Sequence, residues 1–133
     1  MLFTPTIAPL PLTPTARPID WRQGVLLRTT NWLGDALMTL PATWQLKRMM
    51  PADCRLIAFT PTGLAKLWEA CPWVDEVIAF PGRHPDAGAL QAARDRRLGL
   101  AVVFPNSFAS AWDVRRTGIP RRLGRRGRWR SFF

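Results

Sequence analysis

Four short apolar runs, each followed by a stretch with helical spacing, constrain this chain more than any other feature of it. The runs are Gly24–Arg28, Arg55–Phe59, Asp75–Phe80 and Leu100–Phe104. They are mostly apolar without alternating, which predicts strands buried on both faces. The intervening stretches Asp35–Met50, Gly63–Ala70, Ala87–Leu98 and Ser107–Thr117 read as helices, the last closed by Gly118 and Pro120. In the first of them Leu37, Met38, Leu40 and Trp44 recur at helical spacing, and Pro41 predicts a kink or a helix that starts near it. Four βα units in succession predict an α/β fold: a Rossmann-like parallel sheet with flanking helices.

A length of 133 residues, 47% of them hydrophobic, suits one domain with a core of its own and excludes a disordered chain. No apolar run approaches the roughly 18–20 residues that span a bilayer, so no transmembrane segment is expected. Cys54 and Cys71 are too few and too far apart for a zinc site or a disulfide framework, and read as reduced, buried thiols of a cytosolic protein. Residues 1–20 read as a Pro/Thr-rich leader, since Pro5, Pro9, Pro11 and Pro14 interrupt any secretory apolar region. Residues 21–133 form the domain.

The net charge of +10 is unevenly placed. Residues 1–114 hold 11 basic and 9 acidic side chains, whereas 115–133 hold eight Arg and no acid. Such a cluster attracts phosphorylated ligands, an anionic membrane surface or nucleic acid, or is simply a solvated tail.

Neither G-x-G-x-x-G nor a Walker lysine loop is present, which disfavours dinucleotide oxidoreductases and P-loop NTPases. Ligands of parallel sheets gather where the strands end. The first such place is Thr29–Thr39. There Gly34 is expected to allow a tight turn, and Asp35 is either a helix N-cap or a general base facing a cleft. These two roles compete, because capping bonds stabilise the carboxylate and reduce its basicity. The second place is Pro105–Ser110, where Asn106 and Ser107 cap the fourth helix or offer its free amides to an anion or a sugar hydroxyl. His84 is expected to be solvated in a loop. Trp44, Trp68, Trp73 and Trp112 are expected in the core. Trp32 either lines the cleft or packs on the first helix, and Trp129 sits at a membrane interface or in a frayed end.

The segment Asn31–Ala36, with Thr39–Pro41 behind it, resembles the N-terminal signature of the ADP-heptose:lipopolysaccharide heptosyltransferases, glycosyltransferase family 9. Pro105–Phe108 with Ser110 and Ala111, followed by Gly118–Arg122, Gly124, Arg126 and Gly127, resembles the heptosyltransferase II branch. The resemblance implies the N-terminal half of a GT-B enzyme, incomplete here, with the C-terminal donor-binding domain absent. It implies inverting transfer of heptose from ADP-heptose to the lipopolysaccharide inner core, with no obligatory metal and no cofactor beyond the donor, which the missing domain would bind. Asp35 becomes the catalytic base. Asn31, Trp32, Gly34, Thr39, Asn106, Ser107, Ser110, Arg121, Arg122 and Arg126 become candidates for holding the phosphorylated acceptor. The expected setting is cytoplasmic, peripheral at the inner face of the inner membrane, with a lipid A-linked acceptor as partner and no nucleic acid. By itself the chain is expected to be inactive. The rival readings are a basic module for nucleic acid or an anionic surface, and a truncated product without function.

Overall fold

A computed structural model describes residues 18–21 and 23–125. Most of the leader, together with Arg126, Arg128, Trp129 and Arg130, lies outside the described residues. The strands are β1 (Val25–Arg28), β2 (Leu56–Pro61), β3 (Glu76–Phe80), β4 (Leu100–Val103) and β5 (Arg121–Gly124). The helices are α1 (Leu33–Met49), α2 (Ala65–Glu69, entered through a 3₁₀ turn at Thr62–Leu64), α3 (Ala87–Asp95) and α4 (Phe108–Arg116). All pairings are parallel, in the order β3-β2-β1-β4-β5. This is the Rossmann-like architecture expected from the βα rhythm, with its topological switch between β1 and β4.

Alternate residues of β1 to β4 feed two separate cores. Leu26, Ile57, Phe59, Ala101 and Val103 pack with Leu90 and Ala93 of α3 and Val114 of α4. Val25, Leu27, Leu56, Ala58 and Leu100 pack on the other face with Ala36 of α1 and Trp68 of α2. Burial on both faces is why the strands read as nearly continuous apolar runs. Gly24 starts β1 at φ +104°, and a Cβ there would lie 2.1 Å from the Arg55 carbonyl that accepts the Val25 N–H. Only glycine lets β1 and β2 approach this closely.

Four expectations change. The fifth strand was not foreseen, because Arg121–Gly124 carries one apolar side chain, Leu123; it forms as an edge on β4, with Arg121 and Arg122 half-buried and Leu123 exposed. Helix α1 does not start near Pro41: it begins at Leu33 and continues through the proline. Its apolar spacing is only partly a core stripe: Leu37, Met38 and Trp44 are exposed, while Ala36 and Thr43 are buried and Leu40 and Leu46 pack partly against the core. The first turns of α1 stand at the carboxyl ends of the strands, where the sheet gives way to a cleft. Of the tryptophans, Trp68 is fully buried and Trp73 half-buried with its indole N–H on Thr43, but Trp44 and Trp112 are exposed. Cys54 and Cys71 are buried free thiols, and burial pushes both up from the ordinary thiol value.

At the far edge of the sheet, Glu76 of β3 accepts from Arg96 Nε at 3.0 Å and pairs with Arg55 at 3.2 Å. Hydrogen bonding from Arg96 holds its carboxyl below the usual glutamate range, and the charges of Arg96 and Arg55 add to this against partial desolvation. A lowered folded-state value means that the stabilisation is whole above the unfolded glutamate value, about pH 4.3. It is lost as pH falls through the lower folded value. Glu76→Gln is therefore expected to flatten the acid limb of a pH–stability curve measured by urea unfolding. An unchanged acid limb would mean that these ion pairs contribute nothing.

Candidate functional site

Cavities open at both ends of the strands. One of about 520 Å³ opens where strands begin, lined by Asp20, Gln23, Arg97 and Pro120 among others. The other, about 550 Å³, lies between the loops that leave β1 and β4. Open parallel sheets bind ligands at the strand carboxyl ends, at the switch point, so the second is the candidate site. From the β1 side it is lined by Thr30, Asn31, Trp32, Asp35, Met38 and Thr39. Phe104, Pro105, Asn106 and Ser107 line it from the β4 side.

Asp35 is not the N-cap of α1. Trp32 holds that position, with extended backbone and no side-chain capping bond, and Asp35 follows in the first helical turn. Its carboxylate is exposed at the cleft and, among the described residues, meets no hydrogen-bond donor. The capping alternative thus falls away and leaves an uncommitted carboxylate. Gly34 makes no tight turn; it is an exposed helical residue, and a Cβ there would meet nothing within 4 Å. At the other wall Ser107 does cap α4, accepting from the Ser110 N–H at 3.2 Å. Ser110 is fully buried beneath it, its hydroxyl 2.8 Å from that of Ser107, and does not line the cleft. Thr39 does, although its hydroxyl donates to the Ala36 carbonyl at 2.7 Å.

No protein-family model matches the chain. It is 32% identical over 115 residues to lipopolysaccharide heptosyltransferase 2 of Escherichia coli K12, a match covering 80% of this chain and 32% of that protein. The protein of the same name from Salmonella typhimurium gives the same identity and the same coverage. The solved structure of E. coli ADP-heptose LPS heptosyltransferase II superposes with a TM-score of 0.69 and 28% identity, over 81% of this chain and 32% of that one. The chain is heptosyltransferase-like. Its match spans about a third of the length of these relatives.

Of the Arg cluster of this heptosyltransferase-like chain, the described candidates Arg121 and Arg122 do not line the cleft. Arg121 pairs in register with Leu100 and Arg122 with Ala101, at the end where β4 begins, whereas the cleft lies beyond Val103. Arg122 donates to the Ile119 carbonyl at 2.7 Å, pointing further from it. Arg126 lies outside the described residues.

What sequence reasoning missed is a buried charge beneath the cleft. Arg28, the last residue of β1, is fully buried. Its guanidinium donates to the carbonyls of Thr29 at 2.6 Å and Arg83 at 2.9 Å and to Asn31 Oδ1 at 3.0 Å. It stands over the Phe80 ring and 3.8 Å from the buried carboxylate of Asp113 on α4. Desolvation pushes it down to about 10, against the opposing pull of Asp113, which leaves it charged at neutral pH. His84 is exposed in its loop as expected, and its Nδ1 lies 2.9 Å from Asp113 Oδ2. A cation ending an apolar strand was the available signal, since strand alternation sends Arg28 to the same face as Leu26.

Among the described residues no three His, Cys, Asp or Glu gather to hold a metal ion. No described helix is long and apolar enough to cross a membrane.

Proposed function

We propose that this chain is the acceptor-binding unit of a GT-B glycosyltransferase that moves heptose from ADP-heptose to the lipopolysaccharide inner core with inversion. One observation carries the reading: an exposed carboxylate, Asp35, with no capping bond, at the switch-point cleft that faces Asn106 and Ser107. The likeness to heptosyltransferase II over four-fifths of the chain supports the same assignment.

Asp35 takes the proton from the acceptor heptose hydroxyl as that oxygen attacks the anomeric carbon. The bond from that carbon to the diphosphate oxygen breaks, and ADP leaves with its electron pair. Trp32 presents an exposed aromatic face at the rim for a sugar ring, while Asn31, Thr39, Asn106 and Ser107 supply polar lining. The nucleotide sugar is held by a second unit contributed from outside these 133 residues, and a lipid A-linked acceptor brings the enzyme to the cytoplasmic face of the inner membrane.

The test is a titration of the ¹⁵N-labelled chain with a lipopolysaccharide core oligosaccharide that ends in a single heptose. Saturable shifts at Asn31, Trp32, Asp35 and Asn106 are expected. Shifts confined to Arg115–Arg125, abolished by moderate salt and reproduced by an oligonucleotide, would replace this reading with that of a basic binding module.

A further inference from the structure

Beneath the proposed acceptor cleft, a single guanidinium nitrogen joins two segments that are far apart in sequence. Arg28 Nη2 donates both to Asn31 Oδ1, on the loop after β1, and to the carbonyl of Arg83, on the loop between β3 and α3. The Arg83 side chain in turn lies over the Trp32 ring, 4.9 Å from its centroid. We propose that Arg28 is a positioning residue for this cleft: it sets Asn31 and the Arg83–Trp32 pair at the rim that receives the acceptor. The inference rests on the acceptor-binding reading above and deepens it.

A charge buried in the middle of a sheet is not explained by stability. An apolar side chain of similar length would fill the space without the cost of removing a cation from water. Nor is the group fully satisfied, since among the described residues Arg28 Nε is buried without a partner. What an apolar residue lacks is the planar fork, which reaches Thr29, Asn31 and Arg83 at once. Asp113 supplies the counter-charge from the α4 side, and Phe80 closes the remaining face. The consequence falls on the rim, because Asn31 and Trp32 line the cleft while Arg28 does not.

The experiment compares the wild-type chain with Arg28→Met and Arg28→Lys by NMR, without ligand and with the same core oligosaccharide. In Arg28→Met, the Asn31 side-chain amide and the Trp32 indole N–H are expected to move, and Arg83-to-Trp32 contacts to vanish. Amides of α2 and the first residues of β3, Glu76 and Val77, which do not neighbour Arg28, stay in place, and oligosaccharide affinity falls at least tenfold. Arg28→Lys keeps the charge but not the fork, and is expected to leave at least one of the two rim signals displaced. A purely structural Arg28 would lower the melting temperature and leave the Asn31 and Trp32 signals of the folded protein unmoved, which would overturn the inference. Should Arg28→Met fail to fold, Arg28→Lys and the wild-type chain decide. Slowly exchanging Arg28 Nη–H signals with contacts to Asn31 and Arg83 support the role, and solvent-rate exchange refutes it. Failure of the wild-type chain to bind the oligosaccharide would instead remove the acceptor reading, with the ligand-free spectra still judging Arg28.

Discussion

Replacing Asp35 by Asn is expected to lower heptose transfer by about 10²–10⁴-fold, the usual worth of a positioned general base. That range corresponds to about 3–5 kcal/mol of barrier. Asparagine keeps the size and polarity of the side chain but cannot accept the acceptor's proton, so the loss should fall on kcat and leave acceptor KM within a few-fold. The measurement is transfer from ADP-heptose to lipopolysaccharide whose core ends in a single heptose, by the complete enzyme containing these residues. The alternative role for an acidic residue in a first helical turn is a favourable interaction with the helix dipole, worth at most about 1 kcal/mol at an exposed position. That role predicts a small stability change and an unaltered rate. A rate within threefold of wild type would therefore remove Asp35 from the chemistry.

Removing Asp113 should produce the largest change in stability. Its carboxylate is buried, sits 3.8 Å from the fully buried Arg28, and accepts from His84 at 2.9 Å when Nδ1 carries the proton. Asp113→Ala strands a buried cation without its counter-charge, which costs about 3–5 kcal/mol. Against the 5–15 kcal/mol typical of a whole domain, that is a fifth of the total or more. Urea unfolding with an unchanged slope would read it as a lower midpoint. The paired variant Arg28→Met/Asp113→Ala should recover part of the loss, because it removes both charges instead of one. A single-variant loss under about 1 kcal/mol would mean that water reaches the guanidinium and solvates it after the change.

Legibility in the sequence followed periodicity. The four apolar runs became β1 to β4 within a residue or two at each end, because strands buried on both faces must be apolar at nearly every position. β5 escaped for the opposite reason: an edge strand needs no apolar signature, and its arginines read as a charge cluster until β4 paired with them. The same logic separates the site residues. Asn31, Trp32, Asp35, Thr39, Asn106 and Ser107 were readable as cleft residues because they sit in the first residues after a strand or in the first turns of the helix that follows, where this fold puts its ligands. Gly34 and Ser110 share those segments yet face elsewhere, since a helix turns about 100° per residue and only some positions point into the cleft.

By itself the sequence determined the βα order, the parallel sheet and the two loops that flank the cleft, because each follows from local pattern and from where βα units place their turns. Tertiary structure alone decided the partners of Arg28. Asn31 is three residues away from it, but Arg83 and Asp113 come from segments that only the winding of the sheet brings together. It also settled the fate of Asp35, since whether a carboxylate in a first turn caps a helix or faces open space depends on backbone geometry and on the neighbouring loop. Periodicity reports which face of an element is apolar; it carries no information about which polar groups from distant elements meet beneath that face.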